Sequence, residues 1–369
     1  MSLQDEIIER SSKIFRDAYQ MSIGELINIY KDREMDIHPE FQRVFRWSET
    51  QKTRLIESIM LNIPIPSIFV SQNDEGIWDV IDGVQRLSTI FQFVGVFKDE
   101  NGKRIDPLVL LKTDYLPSFE GMMWENPTDP NKSFTKEQQL AFKRSRIDLI
   151  IVKKESDPKT KYELFQRLNT GGSKLSDQEV RNCLMIMTNR EFYGFIDGLS
   201  KNEDFNECVV ITDRKEDEQF KLELIIRLLI AVKMDMTEAL NYTDLKELLD
   251  RETIKMIDEF EDSEYQIIED KFIRTFKLLN NILGEDSFKK YSNDKHKGAF
   301  LVGAFQGIAT GIYCNIDKIE KMNPEDIKKK IRLFYEENAY IESTNKGVRA
   351  VPRFHDLSIM GKEYFGHEN

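Results

Sequence analysis

Cysteine and histidine are scarce in this 369-residue chain, which has three of the first and four of the second. Cys183, Cys208 and Cys314 are scattered and form no CxxC pair, which predicts buried free thiols in a reducing compartment and no disulfide framework. His38, His296, His355 and His367 are too dispersed for a metal cluster, which argues against a structural zinc site. The phosphate-loop pattern GxxxxGK[ST] is missing, and Gly171-Gly172 is too short to stand in for it. No serine sits in a Gly-x-Ser-x-Gly elbow, so serine-hydrolase logic fails. No apolar run is long enough to cross a membrane. The opening residues Met1 to Glu6 lack the basic-then-apolar layout of an export signal, so a cytoplasmic location without a membrane partner is expected. Basic charge is also in short supply: 53 Lys and Arg against 65 Asp and Glu leave a net charge of -12. A chain of that sign is no passive polycation, and any DNA contact needs a local basic surface.

What is present is a soluble composition, 40% hydrophobic and 32% charged, over a length that suggests two or three domains. One stretch organises the rest. Trp78-Asp79-Val80-Ile81 has a strand pattern that runs into Asp82-Gly83-Val84-Gln85-Arg86. Leu87, Ile90, Phe91 and Val94 then recur at helix spacing, so Asp82 to Arg86 are expected at a strand-to-helix junction. A glycine there permits positive φ or close approach of a ligand, and first-turn amides suit a phosphate. A tight turn fixed by an Asp side chain is the plainer reading.

Along the chain, residues 1–20 read as a charged leading helix or arm. Ser22 with Glu25 and Ser48 with Gln51 are capping-box pairs that open helices, the first ending near Tyr30 and the second stopped by Pro64 and Pro66. Residues 67–70 and 77–81 read as two strands joined by a turn, residues 106–111 as a further strand or pair of edge strands, 138–146 as a helix and 147–152 as a strand. Residues 160–168 form the next expected helix, followed by the glycine-rich loop Asn169-Thr170-Gly171-Gly172-Ser173-Lys174. Ser176 and Glu179 then cap another helix. Beyond about 190 strand signals nearly vanish and helical periods recur at 219–233, 242–260, 264–283, 298–315 and 325–338. The small residues Gly298, Ala299, Gly303, Ala304, Gly307 and Ala309 of the helix expected at 298–315 allow another helix to come close. Near the end, Arg349 and Arg353 could either cap the helical domain or reach a phosphate.

The polar groups able to converge are Gln42, Arg43, Arg46, Asp82, Gln85, Arg86, Asn169, Thr170, Gly171 and Gly172. Arginine forks grip phosphate oxygens, a carboxylate holds magnesium or orients water, and glycine amides complete a phosphate cradle. This set serves a nucleoside triphosphate and a nucleic-acid backbone almost equally well. The alternative for Arg43 and Arg86 is an ion pair with Asp82 or Asp79 that fixes the fold.

Three segments in order, Phe41-Gln42-Arg43-Val44-Phe45-Arg46-Trp47-Ser48, Asp82-Gly83-Val84-Gln85-Arg86-Leu87-Ser88-Thr89 and Phe165 to Ser176, resemble the N-terminal domain of the GmrSD-type modification-dependent restriction endonucleases. Related domains occur in the SspE and BrxU phage-defence proteins. The resemblance covers roughly residues 20–190. It implies a ParB/sulfiredoxin-like mixed domain, 21–195, that carries the Asp-Gly-Gln-Gln-Arg signature; with the helical periods that follow, the expected chain is α+β, with an all-α helical domain over 215–369. By the resemblance Asp82, Gly83, Gln85 and Arg86 take the signature's positions, Gln42 and Arg43 match an upstream glutamine-arginine pair, and Asn169, Gly171 and Gly172 match a later loop. Together with Arg46 and Thr170 of the polar set, the expected site has Asp82, Gln85 and Arg86 as catalytic residues, Asp82 also as metal ligand, and Gln42, Arg43, Arg46, Gly83, Asn169, Thr170, Gly171 and Gly172 as nucleotide-binding. Two positions depart from the pattern: Val84 replaces the first glutamine of the signature and Phe41 the usual tyrosine. The C-terminal half has no histidine-asparagine-histidine nuclease arrangement, which points to a separate nuclease partner.

The leading expectation is therefore Mg-dependent nucleoside triphosphate binding and hydrolysis linked to DNA sensing or processing in phage defence. The rivals are a DNA phosphodiesterase using the same site and a non-catalytic DNA- or protein-binding module. An oligomer is compatible with either class.

Overall fold

The fold of the first half is built on strand β5, Arg146–Val152, where Ile147, Leu149 and Ile151 are buried between exposed Arg146 and Asp148. That alternation is what a half-buried strand requires. The structure, a computed structural model, describes residues 2–5, 16–37, 47–99, 102–153, 176–292 and 294–367. It divides into two compact units, Met1–Leu175 and Ser176–Asn369.

In the first unit five strands form one mixed sheet in the order β1-β5-β3-β4-β2. β1 is Arg16–Ser22, β2 Met35–Asp36, β3 Ile68–Gln72 and β4 Trp78–Asp82. β1 and β4 run antiparallel to β5 and β3 respectively, whereas β3 runs parallel to β5 and β2 parallel to β4. Among the described residues its longer helices are α1, Ile23–Lys31, α2, Glu49–Met60, α3, Val84–Phe93, and α4, Lys136–Arg144. Ser22 caps α1, and the Ser48–Gln51 box starting α2 is complete. α3 is buried at almost every position; its Phe93 meets Trp124, Phe134 and Phe142 edge-on at 5.6, 5.0 and 5.5 Å. Stacking of Tyr30 on Phe91 at 4.4 Å ties α1 to the same core.

Two expectations for this unit are corrected. Residues 16–20, read as the end of a leading helix or arm, are the body of edge strand β1, paired with Asp148 to Val152. All five are exposed, so no alternation marked them as a strand. Residues 106–111 are not a strand: Leu108 and Leu110 are buried, and Leu110 exchanges main-chain bonds with Gly121 and Met122 in a loop.

In the second unit the longer helices are α5, Asp177–Thr188, α6, Arg190–Ser200, α7, Phe220–Lys233, α8, Leu245–Glu259, and α9, Asp262–Ile282. The predicted Ser176–Glu179 box opens α5. α5 packs on α6 and α8, which places it in this unit, although the sequence reading ran the first domain to 195. A helix α10 follows in three segments, Val302–Ala304, a π turn Phe305–Ala309, and Thr310–Cys314; then come α11, Pro324–Phe334, α12, Asn338–Thr344, and α13, Ala350–Gly366. The small residues of α10 do allow close approach. A Cβ on Gly361 of α13 would lie 2.1 Å from the Gly307 carbonyl oxygen, so the two backbones touch. Arg353 takes the capping role, donating to the carbonyls of Ser343, Asn345 and Val348 at 3.2, 3.3 and 3.2 Å.

This unit is not all-α. β6, Lys289–Ser292, and β7, Lys295–Phe300, form an antiparallel hairpin, and its last residues, 298–300, take the place of the start of the helix expected at 298–315. Its lysine-rich strands lack the β-branched residues by which a strand is read.

Candidate functional site

β4 ends on Asp82, Gly83 turns the chain with φ at 105°, and α3 begins at Val84. The predicted strand-to-helix junction is therefore present. A Cβ at residue 83 would sit 2.9 Å from Ile68 Cγ1, so both the dihedral and the space require glycine. Among the described residues no side chain caps this end of α3. First-turn amides of a helix carry partial positive charge.

The turn sets Asp82 and Arg86 face to face. Arg86 Nη2 donates to Asp82 Oδ2 at 2.6 Å, and Nη1 donates to the carbonyls of Pro66 and Ser67, the latter at 3.1 Å. The Arg86 side chain is 9% exposed, that of Asp82 34%. One buried guanidinium thus joins the approach to β3, the end of β4 and the first turn of α3. The ion-pair alternative raised for Arg86 is what the structure contains, and the carboxylate it orients is the part that meets solvent. Asp79, three residues back on β4, is buried and pairs across with Ser71, while Asp82 pairs with Phe69 beyond an irregularity in the register.

Gln85 is half-buried, and its carbonyl accepts from Ser88 Oγ at 3.2 Å and Thr89 Oγ1 at 2.7 Å. Val84 lies in the hydrophobic core with no exposure, so the residue that departs from the signature packs inward. Gln42, Arg43, Arg46, Asn169, Thr170, Gly171 and Gly172 lie outside the described residues. The Pro66 and Ser67 carbonyls were missed from sequence, because nothing in a side-chain pattern marks a main-chain oxygen as a partner.

Among the described residues no group of three His, Cys, Asp or Glu side chains is arranged to hold a metal ion. Asp82 is a partly exposed carboxylate, and Mg2+ that arrives with phosphates commonly takes one or two carboxylates and fills its shell with water and phosphate oxygens. Burial pushes the Cys208 thiol up to about 12 and also raises Cys314, and Cys183 is buried, so none of the three is exposed as a thiolate.

Residues 23–186 match the family model described as GmrSD restriction endonuclease, N-terminal domain. This region is a GmrSD N-terminal domain. The GmrSD-type domain contains the whole Asp82–Arg86 junction, all of the sheet except β1, and α5 up to residue 186. No curated protein and no solved structure matches the chain. No helix among the described residues is long and apolar enough to cross a membrane.

Proposed function

We propose that this protein binds a magnesium-nucleoside triphosphate at the Asp82–Arg86 junction and hydrolyses it in a DNA-sensing or DNA-processing step of phage defence, with a separate nuclease alongside. The observation carrying this reading is a solvent-facing carboxylate, Asp82, gripped by a nearly buried arginine at a glycine turn within a domain whose family is described as a restriction endonuclease.

Asp82 orients the attacking water and is the carboxylate that would meet magnesium. The magnesium supplies charge neutralisation of the phosphate oxygens when bound. Arg86 acts through Asp82 as a positioning residue. Gly83 and the first turn of α3 give backbone room and amide donors beside it. Gln42, Arg43, Arg46 and the Asn169 to Gly172 loop complete the proposed phosphate grip. Water attacks the terminal phosphorus, the bond to the bridging oxygen breaks, and diphosphate nucleotide and inorganic phosphate leave.

Calorimetric titration of each of the four ribonucleoside triphosphates tests the binding step. One of them is expected to bind with magnesium and to bind more weakly once the metal is chelated. Absence of binding by all four would overturn the reading. A nucleotide sensor without turnover is the second reading, favoured by the apolar, core-facing Val84 at a signature position. Binding without phosphate release selects it.

A further inference from the structure

We infer that the β6–β7 hairpin of the second unit is a contact element for the phosphate backbone of duplex DNA. This inference rests on the DNA-linked reading above and gives it a surface.

The chain carries a net charge of -12, yet positive charge gathers on this ribbon. Its register pairs Lys290 with Lys297, Tyr291 with His296 and Ser292 with Lys295. Successive strand residues face opposite sides, so Lys290, Ser292, Lys295 and Lys297 share one face and Tyr291 and His296 the other. The second face is covered: Arg332 stands 5.2 Å over the Tyr291 ring, and the His296 and Tyr335 rings meet at 6.5 Å. The lysine face is therefore the outer one, and all three lysines are exposed.

Like charges directly opposite on neighbouring strands destabilise the pair. Lys289, at the base of β6, is neutralised by Glu285 and Asp286 at 3.1 and 3.0 Å. Lys290, Lys295 and Lys297 have no acidic partner among the described residues, so the repulsion across the ribbon stands until an anion relieves it. Lys328 and Arg332, one helical turn apart on α11, add two cations beside the covered face, where both act on His296.

A two-stranded ribbon is narrow enough for the major groove, and lysine ammonium groups meet phosphates as point charges. Among the described residues the outer face has no Arg, Asn or Gln to read base edges, so the lysine contact is to the backbone and independent of sequence. An open cleft of about 600 Å3 elsewhere on this unit is lined by Glu337, Glu342, Asp356 and Glu363 besides His355 and His367, and its four carboxylates repel a polyanion.

The test is fluorescence anisotropy of the full chain with a labelled duplex of about 30 base pairs, between about 50 and 200 mM salt. The variant K290Q/K295Q/K297Q is compared with the parent, with the Lys→Arg triple, and with K277Q/K318Q/K321Q, which removes three exposed lysines outside the hairpin. Losing three phosphate contacts lowers the salt slope by about 2.7 and weakens binding on the order of a hundredfold at 0.1 M salt. The Arg triple and the control triple are expected to bind within a few-fold of the parent. Nucleotide hydrolysis without DNA stays at the parent level, and the melting temperature of the Gln triple does not fall. If the Gln triple binds duplex as the parent does, with the same slope, the hairpin assignment is wrong and the DNA-linked reading survives. If the parent binds no duplex at about 50 mM salt, both fall together. Loss of binding in the Arg triple as well would overturn the charge argument.

Discussion

Replacing Arg86 with methionine separates a residue that builds the junction from one that only meets a ligand. The substitution keeps most of the apolar stem and removes three bonds: one to Asp82 Oδ2 and two to the carbonyls of Pro66 and Ser67. A bond to a charged group contributes about 1.5–3 kcal/mol when buried. Two features reduce the total. Asp82 is 34% exposed, so solvent screens that pair, and Pro66 is exposed, so its carbonyl can turn to water. The expected loss is about 3 kcal/mol. Trp47, Trp78 and Trp124, the three tryptophans of the chain, all fall in Met1–Leu175. Urea unfolding followed by tryptophan emission therefore reports the first unit alone, which avoids treating a two-unit chain as one transition. With a slope of about 2 kcal/mol per molar, the midpoint falls by about 1.5 M. Asp82→Asn, which keeps an acceptor for Nη2, lowers it by about 0.5 M. An Arg86→Met midpoint within about 0.2 M of the parent would refute the clamp.

Other expectations concern the second unit. Arg181 is fully buried, with Nε 3.0 Å from Asp250 Oδ1; Arg181→Met is expected to cost about 3–5 kcal/mol, and pairing it with Asp250→Leu to recover a large part, as urea-unfolding cycles measure. His296 is held below the ordinary histidine range chiefly by burial, with Arg332 and Lys328 adding to the effect against Asp286 and a bond to the Lys289 carbonyl. The unfolded chain, with a histidine value of about 6.5, takes the proton first as pH falls. Stability from this group is thus complete above about pH 7.5, declines through about 6.5 and levels off below the folded value. Circular-dichroism melts should show a shallower decline for His296→Gln, and equal slopes would contradict the assignment.

Elements whose side chains face the core were legible from sequence, and elements defined by main-chain pairing or exposed charge were not. The Ser48–Gln51 and Ser176–Glu179 boxes start helices where expected, because capping is local chemistry between residues three apart. A third box, Thr135–Gln138, begins α4 at Lys136 and could have set the start read at 138. β1 was hidden because its first five residues are exposed, and only its partner strand specifies it. β6 and β7 were hidden by their lysines. At the junction, the strand, glycine and helix could be read from Asp82, Gly83 and the spacing of Leu87 to Val94, but the partners of Arg86 depend on where Pro66 and Ser67 return in space.

The measurement closest to the central claim is phosphate release from the four ribonucleoside triphosphates with magnesium, with and without duplex DNA, for the parent and Asp82→Asn. The account predicts turnover of one nucleotide by the parent and a drop of at least about a hundredfold in the variant, in line with removal of a group that orients the attacking water. Equal turnover by the two proteins, with the variant folded by tryptophan emission, would contradict it.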